Sequence, residues 1–220
     1  MLHFREELEE LQRKLLEMGG LVEAAIHNSI DALVERDEDK AKEVLWTEAQ
    51  INQKEIEIDD LATRQLALFQ PMARDLRFLT SAIKMNSDLE RMGDLAVNIT
   101  EGALRLMNEP AVKPLVDIPK MAGLTETMVH KALDAFAKRD ADLARQVLLS
   151  DDEVDHLRDA VYDELLLFMQ EERTTINRSV SLMFIAQNLE RIADHATNIA
   201  EDVLFLVKGI DVRHHAETRE

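Results

Sequence analysis

The chain has 220 residues, a formal net charge of −18 and no cysteine. Its length fits one or two ordinary domains. The acidic charge balance argues against binding nucleic acid over a broad surface, because such binding needs cationic groups that displace counterions from the phosphates. The lack of cysteine excludes disulfides, thiolate metal sites, iron–sulfur clusters and a cysteine nucleophile.

Composition favours helices over strands. Aromatic residues make up 4% of the chain, whereas 46% of its residues are hydrophobic, with many Leu, Ala, Ile and Met. This mixture suits helices better than sheets. No apolar run approaches the roughly 20 residues of a membrane-spanning helix, and the charged N-terminus lacks the apolar segment of a secretory signal. We therefore expect an all-α cytoplasmic protein without direct membrane insertion.

The prolines divide the chain, because proline rarely lies inside a helix. Pro71 separates two long helical patterns, and the other three prolines lie in the segment NEPAVKPLVDIP. The sequence predicts helices at residues 4–35, 37–69, 72–107, 119–138, 140–170 and 173–208.

The two halves of the chain are related by an internal repeat. Residues 18–45 match residues 121–148 at an offset of 103, and LERMGDLAVNITE (89–101) matches LERIADHATNIAE (189–201) at an offset of 100. Identities this dense indicate a duplication. We predict a first three-helix repeat at 1–107, a connector at 108–118, a second three-helix repeat at 119–209 and a polar tail at 210–220.

The third helix of each repeat carries an apolar seam with alternating spacings of three and four. In the two repeats this seam consists of Ala82, Met85, Leu89, Met92, Ala96, Ile99, Ala103 and Leu106, and of Leu182, Ile185, Leu189, Ile192, Ala196, Ile199, Val203 and Leu206. Three long helices joined by short turns pack as an antiparallel bundle. The predicted fold is an all-α tandem of two three-helix bundles, side by side or end to end.

Two acidic rows accompany these seams. Glu90 and Asp94 form one pair, and Glu190 and Asp194 form the equivalent pair. A spacing of four places both carboxylates of a pair on one helical face, where like charges repel. A bound di- or trivalent cation would offset this repulsion, since carboxylate and amide oxygens suit hard metals. The rows continue with Asn98 and Glu101 in the first repeat and with Asn198 and Glu201 in the second.

The same rows also have a simpler interpretation. At about 100° per residue they point nearly opposite the apolar seam, where any soluble helix is charged. The residues alone therefore leave a metal site and a solvated outer face both open.

The second helix of each repeat adds a partner row. The first repeat supplies Glu48, Asn52, Glu55 and Asp59, whereas the second supplies Asp151 and Asp155 followed by Arg158 and Tyr162. If a metal is bound, the first repeat thus offers more oxygen ligands than the second. A solvated helix edge is the alternative for Glu55 and Asp59.

Catalytic patterns are missing from the sequence. It contains no GxSxG, Walker-type, GxGxxG or HExxH motif. His27 and His130 occupy equivalent repeat positions, for which a packing histidine is the simplest interpretation. His195 lies beside Asp194, and the first repeat has Leu95 in its place. The residues alone therefore offer no nucleophile–base pair for catalysis.

With these features, the sequence resembles the PhoU family of phosphate-homeostasis regulators, which accompany Pst-type phosphate transporters in bacteria. LERMGDLAVNI and LERIADHATNIAE match the family's E(D)xxxD signature in a tandem pair of three-helix bundles. QPMARDLRFL (70–79) supports the match, as do EAQIN and DDEVD on the second helices. The resemblance covers roughly residues 5 to 208.

The resemblance implies a cytoplasmic adaptor that is not an enzyme and that restrains phosphate-starvation signalling when phosphate is plentiful. Its implied partners are a Pst-type phosphate ABC transporter, including the ATPase subunit, and a phosphate-sensing histidine kinase, which would keep it peripheral to the inner membrane. Some family members hold multinuclear iron or zinc clusters on the bundle surface. By resemblance, the candidate metal ligands are Glu90, Asp94, Glu190 and Asp194, then Glu48, Asn98, Asp151, Asp155 and Asn198.

Two other functions remain open at this point. Helical bundles with Glu rows also house di-iron carboxylate oxidases, which use Glu-x-x-His on two helices, and this chain has one such triplet, Glu153-x-x-His156. A purely structural helical dimeriser would show neither metal dependence nor a phosphate phenotype. Exposed faces on long helices also predict a homodimer.

Overall fold

The computed structural model describes residues 2–212, with side chains from Phe4 onward. It contains α1 (Leu2–Glu35), α2 (Glu38–Phe69), α3 (Ala73–Leu106), α4 (Asp117–Lys138), α5 (Ala141–Glu171), a 3-10 turn (Arg173–Thr175) and α6 (Ile176–Lys208). The all-α prediction is confirmed. The predicted polar tail lies outside the described residues from position 213 on, and His214 and His215 lie there with it.

Three predicted helix starts need correction. Helix α1 begins at Leu2 rather than 4. Helix α4 begins at Asp117 rather than 119, which places Pro119 in its first turn, where the missing N–H breaks no helical hydrogen bond. The sixth predicted helix begins with the separate 3-10 turn, and α6 itself starts at Ile176.

The second helix of each repeat starts in the same way. The Asp37 side chain accepts hydrogen bonds from the backbone N–H groups of Asp39 and Lys40 at the start of α2. Asp140, its repeat equivalent, caps α5 in the same manner. An aspartate at this position satisfies donors that the helix leaves unpaired. The two repeats are therefore alike in the hydrogen bonds at these helix starts as well as in sequence.

The two bundles lie side by side around one continuous core. In the first repeat α1 packs against α2 and α3, and in the second α4 packs against α5 and α6. The repeats meet where α3 packs along α6 and α1 along α4. The predicted seams are buried, except for half-buried Leu106. No helix within residues 2–212 has the length and apolar composition needed to cross a membrane.

Two reciprocal pairs connect α1 to α4. His27 Nδ1 lies 3.2 Å from Glu126 Oε1, and His130 Nδ1 lies 2.8 Å from Glu23 Oε1. Both imidazoles are exposed, so the expectation of packing histidines is wrong. Each histidine lies at the exposed edge of the α1–α4 interface and contacts a glutamate of the other repeat.

The α3–α6 interface is asymmetric. A Cβ added at Gly102 would lie 2.9 Å from Ile185 Cγ1, so glycine allows the two helices to approach closely there. At the equivalent position of the second repeat, Asp202 accepts a hydrogen bond from Lys84 Nζ at 2.8 Å. Beside it, His195 Nδ1 lies 2.8 Å from Asp88 Oδ1 in a buried pair.

Candidate functional site

The first acidic cluster lies between α2 and α3 and consists of Glu48, Asn52, Glu55, Glu90 and Asp94. Helix α2 supplies three of these side chains, and α3 supplies the signature pair. Asn52 Nδ2 donates to Glu48 Oε1 at 2.5 Å. Burial raises the pKa of Glu90, and so do the nearby carboxylates of Asp94 and Glu55. The fold thus brings both predicted rows of the first repeat together.

Asn86 extends this cluster inward. This side chain is fully buried, and its Nδ2 donates to Asp59 Oδ1 and to the backbone carbonyl of Glu55, both at 3.0 Å. Its Oδ1 is buried without a hydrogen-bond partner, as is Oδ1 of Asn52. An unpaired buried carbonyl oxygen costs free energy unless a donor or a cation reaches it. Two such oxygens border the carboxylates of the first cluster.

The second acidic cluster lies between α5 and α6 and consists of Asp151, Asp155, Arg158, Glu190 and Asp194. Arg158 Nη1 lies 2.5 Å from Glu190 Oε1 and 3.2 Å from Asp155 Oδ1. The same guanidinium contacts exposed Asp159 at 2.9 Å. A guanidinium inside the row therefore balances part of its charge.

Arg158 does not balance the whole second cluster. Burial and the carboxylates of Asp194 and Asp155 raise the pKa of Asp151 to about 6. Burial likewise raises the pKa of Asp194, with Glu190 and Asp155 as further causes. Burial also raises the pKa of Glu190, even though Arg158 acts in the opposite direction. The Asp151–Asp194 end of the cluster therefore retains excess negative charge.

Tyr162 closes the second cluster where the first repeat has Asp59. Its hydroxyl donates to Gln187 Oε1 at 3.0 Å. The position therefore holds a neutral hydrogen bond between α5 and α6 instead of a carboxylate.

The predicted outward orientation of the rows is only partly right. Asp94, Asp194, Asn98 and Asn198 are exposed, as the helical wheel indicates. Glu90 and Glu190 are instead half-buried. A helical wheel describes one helix alone, whereas α2 and α5 cover the flanks of α3 and α6. Asn198 contacts a residue outside the second cluster: its Nδ2 donates to Asp88 Oδ1 at 3.3 Å.

The clusters contain side chains of the types that bind cations, but these side chains do not converge. Carboxylate and amide oxygens are ligands for hard cations. Between residues 2 and 212, however, no three Asp, Glu or His side chains are placed so that they could hold a metal ion together. In the positions seen here, the carboxylates of neither cluster therefore converge on a common point.

Sequence reasoning missed the buried Asn86 and the contact between Asp88 and the buried His195. Asn86 lies one turn before Glu90, and its amide among the apolar seam residues could have indicated a role between helices. The Asp88–His195 pair had no such signal, because it depends on how the two repeats are placed against each other. Glu153 and His156, the triplet considered for a di-iron oxidase, are both exposed on α5 rather than directed into the core.

Comparison with known proteins agrees with this architecture. The PhoU domain family model matches residues 15–103 and 118–203. The chain is 42% identical to the phosphate-specific transport system accessory protein PhoU homolog of Pseudomonas aeruginosa, over 98% of the chain and 90% of that protein. It is 35% identical to the Escherichia coli accessory protein PhoU, over 96% of the chain and 88% of that protein.

Solved structures give the same result. The crystal structure of PhoU from Pseudomonas aeruginosa aligns with a TM-score of 0.92 and 40% identity, over 94% of this chain and 100% of that one. The phosphate transport system regulatory protein PhoU from Streptococcus pneumoniae aligns with a TM-score of 0.88 and 31% identity, over 95% and 99%. With two domain matches and relatives of this similarity along nearly its whole length, the chain belongs to the PhoU family.

Proposed function

We propose that this protein is a cytoplasmic negative regulator of phosphate uptake and phosphate-starvation signalling. One observation carries the proposal: both repeats match proteins named phosphate-specific transport system accessory proteins, at 42% identity over 98% of the chain in one case. The fold supports a regulatory role because its long helices offer extended surfaces for protein partners. Such a protein acts by binding, not by catalysis.

The proposed partners are the ATPase subunit of a Pst-type phosphate transporter and a phosphate-sensing histidine kinase. The protein would dock on both at the inner membrane and restrain the kinase when phosphate is plentiful. Co-purification from phosphate-replete cells tests this adaptor role. We expect both partners to be recovered with the chain after gentle crosslinking, and less kinase after phosphate starvation. Recovery of neither partner under either condition would contradict the adaptor role.

We also propose that the acidic clusters bind a cation such as iron or zinc. Glu48, Glu90 and Asp94 would hold it in the first repeat, and Asp151 and Asp194 would do so in the second. The two unpaired Asn oxygens beside the first cluster support this role. A bound cation would neutralise crowded carboxylates and could bridge to an anion that the acidic face otherwise repels.

Elemental analysis tests the cation proposal without relying on a phenotype. Untagged wild-type protein should contain bound metal that disappears in the Asp94→Ala/Asp194→Ala double variant. Equal and negligible metal in both proteins would assign the signature carboxylates to partner docking or to plain solvation.

The homodimer and the limits of the two repeats remain predictions. Large exposed apolar side chains such as Trp46, Met72 and Leu149 supply surface on which a second copy could pack. Sedimentation at several protein concentrations tests the dimer. The limits 1–107 and 119–209 can be tested by asking whether each separate segment folds cooperatively.

A further inference from the structure

The connector between α3 and α4 (residues 107–116) lines a cavity of about 280 Å³. Apolar side chains of both repeats contribute to the lining, with Leu33 and Leu106 from the first repeat and Leu182 from the second. Pockets that hold small ligands begin at roughly 300 Å³. The cavity therefore has room for a small organic molecule, and its walls favour one with an apolar body.

Two arginines hold the connector beside this cavity. Arg36 donates hydrogen bonds to the backbone carbonyls of Met107 at 3.1 Å and of Glu109 at 2.9 Å. Arg178 donates to the carbonyl of Pro110 at 2.6 Å. Among the residues that the structure describes, both guanidiniums bind only carbonyl oxygens, so neither is paired with a carboxylate. In a chain with a net charge of −18, this end of the molecule thus keeps two uncompensated positive charges.

Lys113 also lines the cavity, but its charge is neutralised. Its side chain is 4% exposed, and its Nζ lies 3.1 Å from Asp117 Oδ2 and contacts the carboxylate of Glu164 as well. These ion pairs attach the connector to α4 and α5, so the cavity wall is held in place without a ligand. Within the described lining, Arg36 is therefore the one cation available to an anion.

The corresponding place at the other end of the molecule is filled by two aromatic rings. Phe136 and Phe78 are the repeat equivalents of Leu33 and Arg178, and their ring centroids lie 5.8 Å apart in a stacked pair. The guanidinium of Arg139, the counterpart of the arginine in the cavity lining, lies 5.7 Å from the Phe78 centroid. The loss of both rings beside the connector explains why the cavity occurs there and has no equivalent at the filled end.

We propose that this cavity is a binding site for a small amphipathic anion. Its apolar body would lie against Leu33, Leu106 and Leu182, and its anionic head would bind Arg36 at the exposed rim. A guanidinium has five N–H groups, and the connector uses two of those of Arg36, which leaves three for a carboxylate or a phosphate ester. Such a ligand would contact both repeats at once. The site is independent of the adaptor and cation roles proposed above.

Titration with octyl phosphate and with octanoate, followed in methyl spectra by nuclear magnetic resonance, tests the proposal. We expect saturable shifts of the Leu33, Leu106 and Leu182 methyl signals with at least one of the two anions, and the one that binds more tightly identifies the head group. Octylammonium has the same chain and the opposite charge, so it should bind at least about tenfold more weakly than that anion.

Variants separate the head-group contact from the apolar cavity. Arg36→Gln should weaken binding of the anion by about tenfold and leave the affinity for uncharged octanol unchanged. Leu33→Phe restores one ring of the filled end and should abolish binding of both the anion and octanol. Arg139→Gln makes the same change as Arg36→Gln at the equivalent position of the second repeat, and it should bind like wild type.

Three results would overturn the inference. These are no saturable shift at the cavity methyls with either anion, an octylammonium affinity equal to that of the anion, and unchanged binding in folded Leu33→Phe. If circular dichroism melts show that Leu33→Phe does not fold, Arg36→Gln decides, because its position is exposed. An equal loss of anion and octanol affinity in Arg36→Gln would mean that this arginine only holds the connector, which contradicts the proposed anion contact.

Discussion

The two repeats share their three-helix arrangement, the aspartate caps of α2 and α5 and the apolar seams of α3 and α6, but they differ in the charges placed between the helices. The first acidic cluster combines carboxylates with unpaired amide oxygens, whereas the second contains Arg158 in contact with Glu190. At the α3–α6 interface the second repeat supplies Asp202 to Lys84, whereas the first has Gly102 close to Ile185. Duplication thus preserved the apolar packing that defines the fold, while the polar positions diverged and are free to carry different functions.

We expect the largest loss of stability when Gly102 is replaced by aspartate, the residue type at the equivalent position 202 of the second repeat. Gly102→Asp would place a carboxylate against Ile185. Lys84, which pairs with Asp202, has Phe184 as its equivalent in the second repeat, so the new carboxylate would lack such a partner. An unpaired charge at a close helix contact should lower the free energy of unfolding by about 3 kcal/mol. Urea denaturation measures this loss.

Adding Phe184→Lys supplies the missing cation. The double variant should recover about 1 kcal/mol relative to Gly102→Asp alone, as a coupled pair does in a double-mutant cycle. Strict additivity of the two substitutions would show that the interface does not follow the repeat symmetry.

A smaller effect is expected at the buried Asp88–His195 pair. Asp88→Ala leaves an imidazole that is 8% exposed without its partner and should cost about 1–2 kcal/mol. Asp88→Asn combined with His195→Leu restores the residue types found at the equivalent positions, Asn188 and Leu95. Because both polar partners are then replaced together, the double variant should be within about 0.5 kcal/mol of wild type. A double variant less stable than Asp88→Ala would contradict this pairing.

The smallest effect concerns the pH dependence of the second cluster. The pKa of Asp151 is raised from 3.8 to about 6, so between these values the folded state holds a proton that the unfolded state has lost. Stability should therefore fall as the pH rises through this window and level off above it. Asp151→Asn removes the loss and should raise the free energy of unfolding by about 1 kcal/mol at pH 7.5, after allowance for solvent screening.

Calorimetry at two pH values measures this effect. Asp151→Asn should raise the melting temperature by about 2–4 °C at pH 7.5 and leave it unchanged near pH 4. Asp163→Asn, at an exposed position of the same helix, is the control and should change neither value. An equal gain at both pH values would mean that Asp151 is not a crowded, half-buried acid.

Much of the fold could be predicted from the sequence because the apolar residues of a helix recur at a recognisable spacing. The seam around Leu89 and Leu189 places α3 and α6 correctly. The candidate carboxylates were found for the same reason, since a spacing of four defines one face of a helix.

What the sequence could not supply depends on neighbouring helices. The wheel treats Glu190 as outward-facing, although α5 covers it and brings Arg158 to its carboxylate. The exposed positions of His27 and His130, and the burial of His195, follow from how one repeat packs on the other. Periodicity within a repeat contains no information about that packing.

The most direct measurement is the expression of a phosphate-starvation reporter in phosphate-replete cells that carry variants of this chain. We predict that Glu90→Gln/Asp94→Asn, which removes the signature charges of the first cluster, turns the reporter on as fully as deletion of the protein does. Glu153→Gln/Asp163→Asn removes two charges at exposed positions of α5 and should keep the reporter off. A reporter that stays off in the first-cluster variant, at normal protein abundance, would contradict a regulatory role for the first acidic cluster.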